Sequence, residues 1–340
     1  MFDSLHDAQP ETSHPPSPLR RIFYGPDGLR AGWSLLLFAL PFAVLYGVMA
    51  LARHAQQAPS RRTVDNQINV LETALVELIS FAVVAGTTFL VSLVERRPFG
   101  TYGLGRGTPD ANPLFDLGKG LAWGVVFLSL LVETLRLTGL IVFDGIALDP
   151  LSALGYALSW FAAFLFVGLF EEFLFRGFVQ YTAARGISGL VRAIVPRSRH
   201  SHAIGFWSAT LLFSVGLFAL LHKANQGESP VGLAAVAAAG LTFAYSLWRT
   251  GTLWWAVGFH AAWDWAQSFL FGVADSGSLA QGHLFLTHPA GAAIYSGGAT
   301  GPEGSILVFP TLALTAVIIH LTLPRRDYPL TPSQQPPTVT

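Results

Sequence analysis

Apolar residues along the chain fall into eight long runs, separated by stretches richer in charged residues, Pro and Gly. The runs cover residues 31–52, 69–93, 119–142, 152–175, 205–222, 231–248, 252–271 and 305–323. Each run is close to the roughly 20 residues that a helix needs to cross the hydrocarbon layer of a bilayer. None shows the alternation of a barrel strand, so the pattern predicts an all-α polytopic membrane helix bundle with about eight transmembrane helices.

Composition supports this fold class. The 340 residues are 52% hydrophobic and only 12% charged, whereas about a quarter of the residues of a soluble domain are charged. There is no Cys, which excludes disulfides, cysteine-based zinc sites and a cysteine nucleophile. No block of basic residues indicates a nucleic-acid partner; the predicted surroundings are membrane lipid.

The same pattern predicts the organisation of the chain. Residues 1–30 and 324–340 are rich in Pro and polar residues, a composition that cannot bury enough apolar surface to fold, so we expect a disordered cytoplasmic arm and a disordered tail. Between them we expect N-terminal transmembrane helices over 31–150, a helical core over 151–275, a non-cytoplasmic loop over 276–304 and a last transmembrane helix over 305–323.

The placement of Lys and Arg predicts the orientation. If the N-terminus is inside, cytoplasmic segments hold fourteen of these residues, the opposite side holds four, and the loop 272–304 holds none. Because positive charge accumulates on the cytoplasmic side, both termini are predicted to be cytoplasmic.

Several ionisable residues fall inside the predicted spans, where their cost makes each a candidate for function. Glu133 and Arg136 share a helix face and are interpreted as a structural ion pair. Glu72 and Glu77 lie near the outer end of the second span, and Glu77 is interpreted as snorkelling or facing the bundle rather than acting directly.

The fourth span carries the segment GLFEEFLFRGF. Glu172 and Arg176 are four residues apart with the acid first, the better orientation for a helical ion pair. Glu171 is rotated by about 100° from Glu172, so it points elsewhere with no partner in its own helix. A carboxylate without a partner in an apolar setting is suited to act as a general base.

Two further spans place histidines on one face with a second side chain. FALLHKAN puts Phe218 and His222 together, and FHAAWDW puts His260 and Asp264 together. Polar groups from three helices avoid lipid only in the bundle interior. We therefore expect them to converge in one layer near mid-membrane, open to the cytoplasm.

These three segments resemble a known family. Glu171-Glu172-x-x-x-Arg176, Phe218-x-x-x-His222 and His260-x-x-x-Asp264 are similar to the three ordered motifs of the type II CAAX prenyl endopeptidases, whose bacterial branch is also called the CPBP or Abi family of intramembrane proteases. The third motif usually ends in Asn and sometimes in Asp.

The resemblance implies an intramembrane endopeptidase with a CAAX protease-like catalytic core, in a bacterial cytoplasmic membrane. Glu171 and His222 would activate water, His260 and Asp264 would support the oxyanion, and Glu172 and Arg176 would hold the first motif in shape. The substrate would be a peptide or a lipid-modified protein.

The family is often labelled metalloprotease, so the sequence leaves open one divalent metal ion such as zinc. Two His and a carboxylate match the ligand type of catalytic zinc, which predicts Glu171, His222 and His260 as ligands. The chain has no His-Glu-x-x-His motif, so the spacing itself does not decide the question.

Two other functions stay open. An ion-coupled transporter would use the same acids and histidines as a proton relay, although the halves of the chain show no internal repeat of the kind such carriers often have. A non-catalytic scaffold or immunity-type membrane protein would keep the fold without the activity, although every candidate group is retained.

Overall fold

The structure, a computed structural model, describes residues 18–25, 28–55, 67–108, 111–225 and 227–325, and only the backbone of 18–19 and 45–55. Most of the predicted disordered arm and tail lie outside these residues. Residues 18–25 and 28–30 differ from the prediction. A short helix, α1 (Pro18–Phe23), leads into an antiparallel ladder of β1 (Tyr24–Gly25) and β2 (Gly28–Leu29). Leu29 is buried, and its carbonyl accepts a hydrogen bond from Arg185 at 2.7 Å.

Every predicted span falls on a helix. The helices are α2 (Ala31–Ala55), α3 (Val70–Glu95), α4 (Pro113–Leu137), α5 (Pro150–Glu172), α6 (Gln180–Ile194), α7 (Ser201–Ala209), α8 (Phe218–His222), α9 (Pro230–Thr250), α10 (Trp254–Trp265), the short α11 (Ala293–Ser296) and α12 (Val308–Thr322). In the described part of the chain, five helical segments are long and apolar enough to cross a membrane. The chain is an all-α polytopic bundle, while the count of eight crossings stays a prediction.

Three helices continue through wider π-helical turns. Phe173–Val179 joins α5 to α6, Thr210–Leu217 joins α7 to α8, and Ala266–Leu270 extends α10. The first of these gives an unbroken helix of 45 residues, about 67 Å long at 1.5 Å per residue. The fourth helix therefore continues well beyond the predicted end of its span at residue 175.

The helix α4, which corresponds to the third predicted span, starts and ends earlier than the predicted residues 119–142. Asn112 caps its first turn, accepting from the backbone nitrogens of Leu114 and Phe115, and Pro113 occupies the first helical position, where its missing N–H is not needed. At the other end Gly139 adopts a positive φ of 72°. The apolar residues that follow belong to a strand rather than to the helix.

Short strands join the loops at one end of the bundle. β3 (Gln67–Ile68) pairs in parallel with β5 (Leu279–Ala280), and β4 (Ile141–Ile146) pairs antiparallel with β6 (Phe285–Pro289). We call this the loop end, comprising residues 67–69, 138–149, 223–229 and 271–307. The opposite end, with residues 96–106, 185–199, 249–253 and 323–325, is the arginine end. This grouping agrees with the predicted alternation of the spans, while which end faces the cytoplasm stays a prediction.

Close helix packing sets the position of α10. A methyl group added at Gly120 of α4 would overlap the carbonyl oxygen of Trp255, and one added at Gly168 of α5 would lie 2.9 Å from the carbonyl oxygen of Val257. Small residues let helix backbones approach closely in membranes. As a result α10 is held between α4 and α5, with His260 beside the carboxylates of α5.

A second ionic cluster, which the sequence reasoning missed, lies at the arginine end. The Glu95 side chain is fully buried and contacts Arg185 at 2.5 Å and Arg97 at 3.1 Å, and Tyr102 donates to it at 2.9 Å. An acid in the last turn of a helix opposes the helix dipole, which is the signal that could have identified it. Arg97 and Arg185, counted above only as orientation signals, also join α3 to α6.

Candidate active site

The first motif forms a buried ion pair, as predicted. Glu172 and Arg176 are both fully buried, and Arg176 Nη1 lies 2.9 Å from Glu172 Oε1. The guanidinium carbon of Arg176 also lies 4.1 Å from the centre of the Phe218 ring, within the range of a cation–π interaction. Arg176 therefore connects the first motif to the second.

His260 of α10 lies among three carboxylates. Its Nδ1 is 3.0 Å from Glu172 Oε1, while its Nε2 is 3.8 Å from Glu171 Oε2 and 3.6 Å from Asp264 Oδ2. The ring stacks on Phe243, with centroids 5.5 Å apart. Since the Glu172 carboxylate can only accept in its ionised form, the Nδ1 contact fixes the ring so that Nε2 faces Glu171 and Asp264.

His222 is the last residue of α8 and is half-buried. Its Nδ1 is 2.8 Å from the carbonyl oxygen of Phe218, and a carbonyl oxygen can only accept. The hydrogen bond therefore places the proton on Nδ1 and leaves Nε2 available. Phe218 packs edge-on against both His222 and Phe175, which explains the Phe in the second motif.

The groups of the three motifs meet at one cavity of about 780 Å³. Among the predicted site residues, Glu171, His222, His260 and Asp264 line it, while Glu172 and Arg176 are not among its lining residues. Glu171 Oε2 is buried and accepts no hydrogen bond from the described residues. The structure thus brings the three motifs together. The Glu172 carboxylate is paired with Arg176 outside the cavity lining, whereas the neighbouring Glu171 carboxylate faces the cavity.

The cavity does not extend in the predicted direction. It reaches the loop end, where Gln67, Asn69 and Glu72 are exposed lining residues, and none of its described lining residues belongs to the arginine end. The structure therefore does not combine the two expectations of a cytoplasmic arginine end and a site open to the cytoplasm. The physical reason is that buried aromatic residues pack together on the side of the arginine end, among them Tyr102, Phe173, Phe178, Tyr181 and Phe206.

Four acids that sequence reasoning set aside or missed also line the cavity, and one of them is the exposed Glu72. Glu77 of α3 has a buried Oε2 that accepts no hydrogen bond from the described residues. Asp275 and Glu303 come from the loop between α10 and α12. They are the only acids in residues 272–304, which contain no Lys or Arg, and this isolation is the signal that could have singled them out.

Loop contacts hold these two acids in place. Ser268 Oγ donates to Asp275 Oδ2 at 3.0 Å, and the backbone nitrogen of Ser276 donates to Glu303 Oε1 at 2.6 Å. Burial, with a further contribution from the Asp275 carboxylate, raises the pKa of Glu303 to about 8. Burial likewise raises the pKa of Asp275 to about 6, against the opposing effect of the Ser268 hydrogen bond.

The raised pKa of Glu303 predicts a dependence of stability on pH. Its ordinary value is 4.5, so the folded protein binds a proton that the unfolded chain releases, and stability falls as pH rises from about 4.5 through about 8. Glu303→Gln keeps the oxygen that accepts from Ser276 but cannot ionise. We therefore expect it to raise the melting temperature in detergent above about pH 8 and leave it unchanged below about pH 4.5. An equal effect of the substitution at both extremes would contradict the assignment.

The predicted metal ligands are near one another but do not form a ligand set. Glu171, His222 and His260 all line the cavity, yet in residues 18–25, 28–55, 67–108, 111–225 and 227–325 no group of three or more His, Asp or Glu side chains is placed to hold a metal ion. As placed, these residues do not fit a resident metal.

The other membrane-embedded pair lies away from the site. Glu133 and Arg136 contact each other at 2.5 Å, both about half exposed, and neither lines the cavity. This agrees with their interpretation as a structural pair.

Part of the chain matches a protein-family model. Residues 153–266 match the family model described as type II CAAX prenyl endopeptidase Rce1-like. This range, about a third of the chain, includes all six predicted site residues, and it confirms the resemblance drawn from the three motifs. Comparisons with curated proteins and with solved structures gave no match.

Proposed function

Since residues 153–266 carry a type II CAAX prenyl endopeptidase Rce1-like domain, we propose that this membrane protein is an intramembrane endopeptidase. In this proposal Glu171 and His222 activate a water molecule for attack on a peptide carbonyl. The observation that carries it is the meeting of Glu171, His222, His260 and Asp264, from three separate helical segments, at one cavity.

The carboxylate of Glu171 suits the role of base. Its Oε2 accepts no hydrogen bond from the described residues, so it is available to a water molecule in the cavity. His222, whose Nδ1 proton is held by Phe218, presents Nε2 as a second acceptor. A pair of acceptors orients the water and takes its proton as the oxygen attacks the carbonyl carbon.

Stabilisation of the oxyanion falls to His260 in this scheme. Doubly protonated, it donates from Nε2, and the 3.0 Å contact of its Nδ1 with Glu172 fixes the ring orientation. Such preorganised donors are usually the largest single contribution to catalysis. The proton taken from water then passes to the amide nitrogen as the carbon–nitrogen bond breaks, which yields a new carboxylate and a new amine.

Glu172 and Arg176 act as positioning residues. Arg176 neutralises Glu172 at 2.9 Å, and Glu172 in turn contacts His260. Arg176 also packs on Phe218, the residue that holds His222. One buried cation thereby supports both histidines of the site.

The lining of the cavity supports a peptide or lipid-modified protein as substrate. Apolar side chains form most of the wall around the four motif residues that line the cavity. These apolar side chains include Phe164, Phe170, Phe175, Phe218 and Phe243. Ligand sites are typically apolar with a few placed polar groups. A membrane-embedded apolar segment therefore fits this wall, with its scissile bond at Glu171.

The direct test is reconstitution of the purified protein in liposomes with a library of quenched fluorescent peptides. We expect the wild type to cleave a subset of the library and the Glu171→Ala protein to cleave the same peptides at least about 10²-fold more slowly. Ion flux across the same liposomes without any peptide cleavage would favour the transporter instead.

Removal of divalent metal provides a second test. Because the described residues form no ligand set for a metal, we expect dialysis against a chelator to leave cleavage unchanged. Loss of cleavage that zinc restores, together with loss of zinc binding in His222→Ala, would show that Glu171, His222 and His260 close around a metal.

A further inference from the structure

Among the described residues that line the cavity, acidic side chains outnumber basic ones. Six acids line it, and no Lys or Arg does so in the described part of the chain; the acids are Glu72, Glu77, Glu171, Asp264, Asp275 and Glu303. Of the described lining residues, only the two histidines can become cationic. The side chains around the cavity therefore do not balance its carboxylates.

This charge is also poorly satisfied by hydrogen bonds. Asp264 is only 8% exposed, faces the cavity and accepts no hydrogen bond from the described residues; its nearest partner is His260 Nε2, at 3.6 Å. Glu77 and Glu171 each have a buried oxygen with no described donor. A buried carboxylate without donors is costly, and an incoming cation would reduce that cost.

The geometry at the loop end fixes two of the acids where a ligand would enter. Ser268 and Ser276 hold Asp275 and Glu303 by hydrogen bonds, and both acids line the same cavity as the exposed Asn69. Burial away from a counter-ion favours the neutral forms of these two acids and raises their pKa values to about 6 and about 8, so a bound cation would favour the ionised carboxylates.

We propose that Asp275 and Glu303 form a subsite for a positively charged side chain, Lys or Arg, of the peptide substrate. This rests on the proposed function and gives it a substrate class: a segment whose apolar residues contact the aromatic wall and whose basic residue lies toward the loop end. Asp264 and Glu77 add to the attraction but lie deeper, beside the reacting groups. A lysine ammonium brings three donors to carboxylates that have few.

Binding can be measured separately from cleavage. The probes are two fluorescein-labelled decapeptide libraries that differ only at one scanned position, which holds Lys in one and the neutral Nε-acetyl-lysine in the other. Anisotropy is recorded with the Glu171→Gln protein in nanodiscs, so that no peptide is consumed. We expect the Lys library to bind about tenfold more tightly at low salt.

Three further measurements sharpen this result. Adding Asp275→Asn and Glu303→Gln together should remove the preference. Adding the control Asp144→Asn should keep it, because Asp144 is an exposed acid of the loop end that pairs with His288 and does not line the cavity. In the protein that keeps Asp275 and Glu303, rising salt should weaken binding of the Lys library more than binding of the acetylated library.

The outcomes separate this proposal from the proposed function. Equal binding of the two libraries would overturn the proposed subsite even if the wild type cleaves peptides. A preference for Lys that survives replacement of both Asp275 and Glu303 would overturn it as well. If the preference for Lys depends on Asp275 and Glu303 but the wild type cleaves no peptide, the result would support the subsite and refute the proposal that the protein is an endopeptidase.

Discussion

Replacing either Glu171 or His222 by Ala should lower the rate of peptide cleavage by about 10²–10⁴-fold, the range typical of a lost general base. The reason is that both side chains act on the same water in the cavity. Because the two act as a unit, the double variant should lose little more activity than either single variant. Initial rates on one cleaved peptide, in liposomes of fixed composition, measure all three.

Stability and a matched control decide what such a loss means. Glu171 Oε2 accepts no hydrogen bond from the described residues, so its removal should leave the melting temperature in detergent nearly unchanged. The control is Glu133→Gln, an acid of the same bundle whose carboxylate pairs with Arg136 away from the cavity; it should keep full activity. Near wild-type cleavage in Glu171→Ala or His222→Ala would refute the assignment of a base.

Helical periodicity is what made the motif residues predictable. A spacing of four residues places Glu172 over Arg176 and His260 over Asp264 in any helix, and the structure has both contacts, at 2.9 and 3.6 Å. The cost of polar groups in lipid then requires the motifs to face inward. Neither step needs knowledge of how the helices are arranged.

The rest of the site depends on contacts between distant segments, which local patterns do not encode. The contact of Glu172 with His260 joins residues 88 positions apart. Asp275 and Glu303 reach the cavity because their loop folds back over the bundle through strand pairs with residues 67–68 and 141–146. The sequence patterns that mark spans and turns do not predict those strands.

The helix ends show the same division. Asn112 followed by Pro113, Asp149 by Pro150 and Ser229 by Pro230 are each a capping residue followed by a Pro suited to the first helical position, so these three starts could be predicted from the sequence. The end of the helix that begins with α5 could not be predicted, because the π-helical turn Phe173–Val179 joins α5 to α6 and the helix continues to residue 194.

Arg176→Ala should destabilise the fold far more than any change at Glu171. Both members of the Glu172–Arg176 pair are fully buried, so loss of the cation leaves a buried carboxylate without its partner, at a cost of about 3–5 kcal/mol. The contact with the Phe218 ring is lost as well. Unfolding in detergent, followed by heat or denaturant, measures the difference.

Two comparisons show whether charge is the cause. Arg136→Ala removes an arginine whose ion pair is about half exposed and should cost much less stability than Arg176→Ala. Combining Arg176→Met with Glu172→Gln removes both buried charges and should recover part of the stability lost in Arg176→Ala, because no uncompensated ion is left. It should not restore activity, since His260 loses the carboxylate that orients it. An Arg176→Ala protein as stable as the wild type but inactive would instead place Arg176 in contact with the substrate.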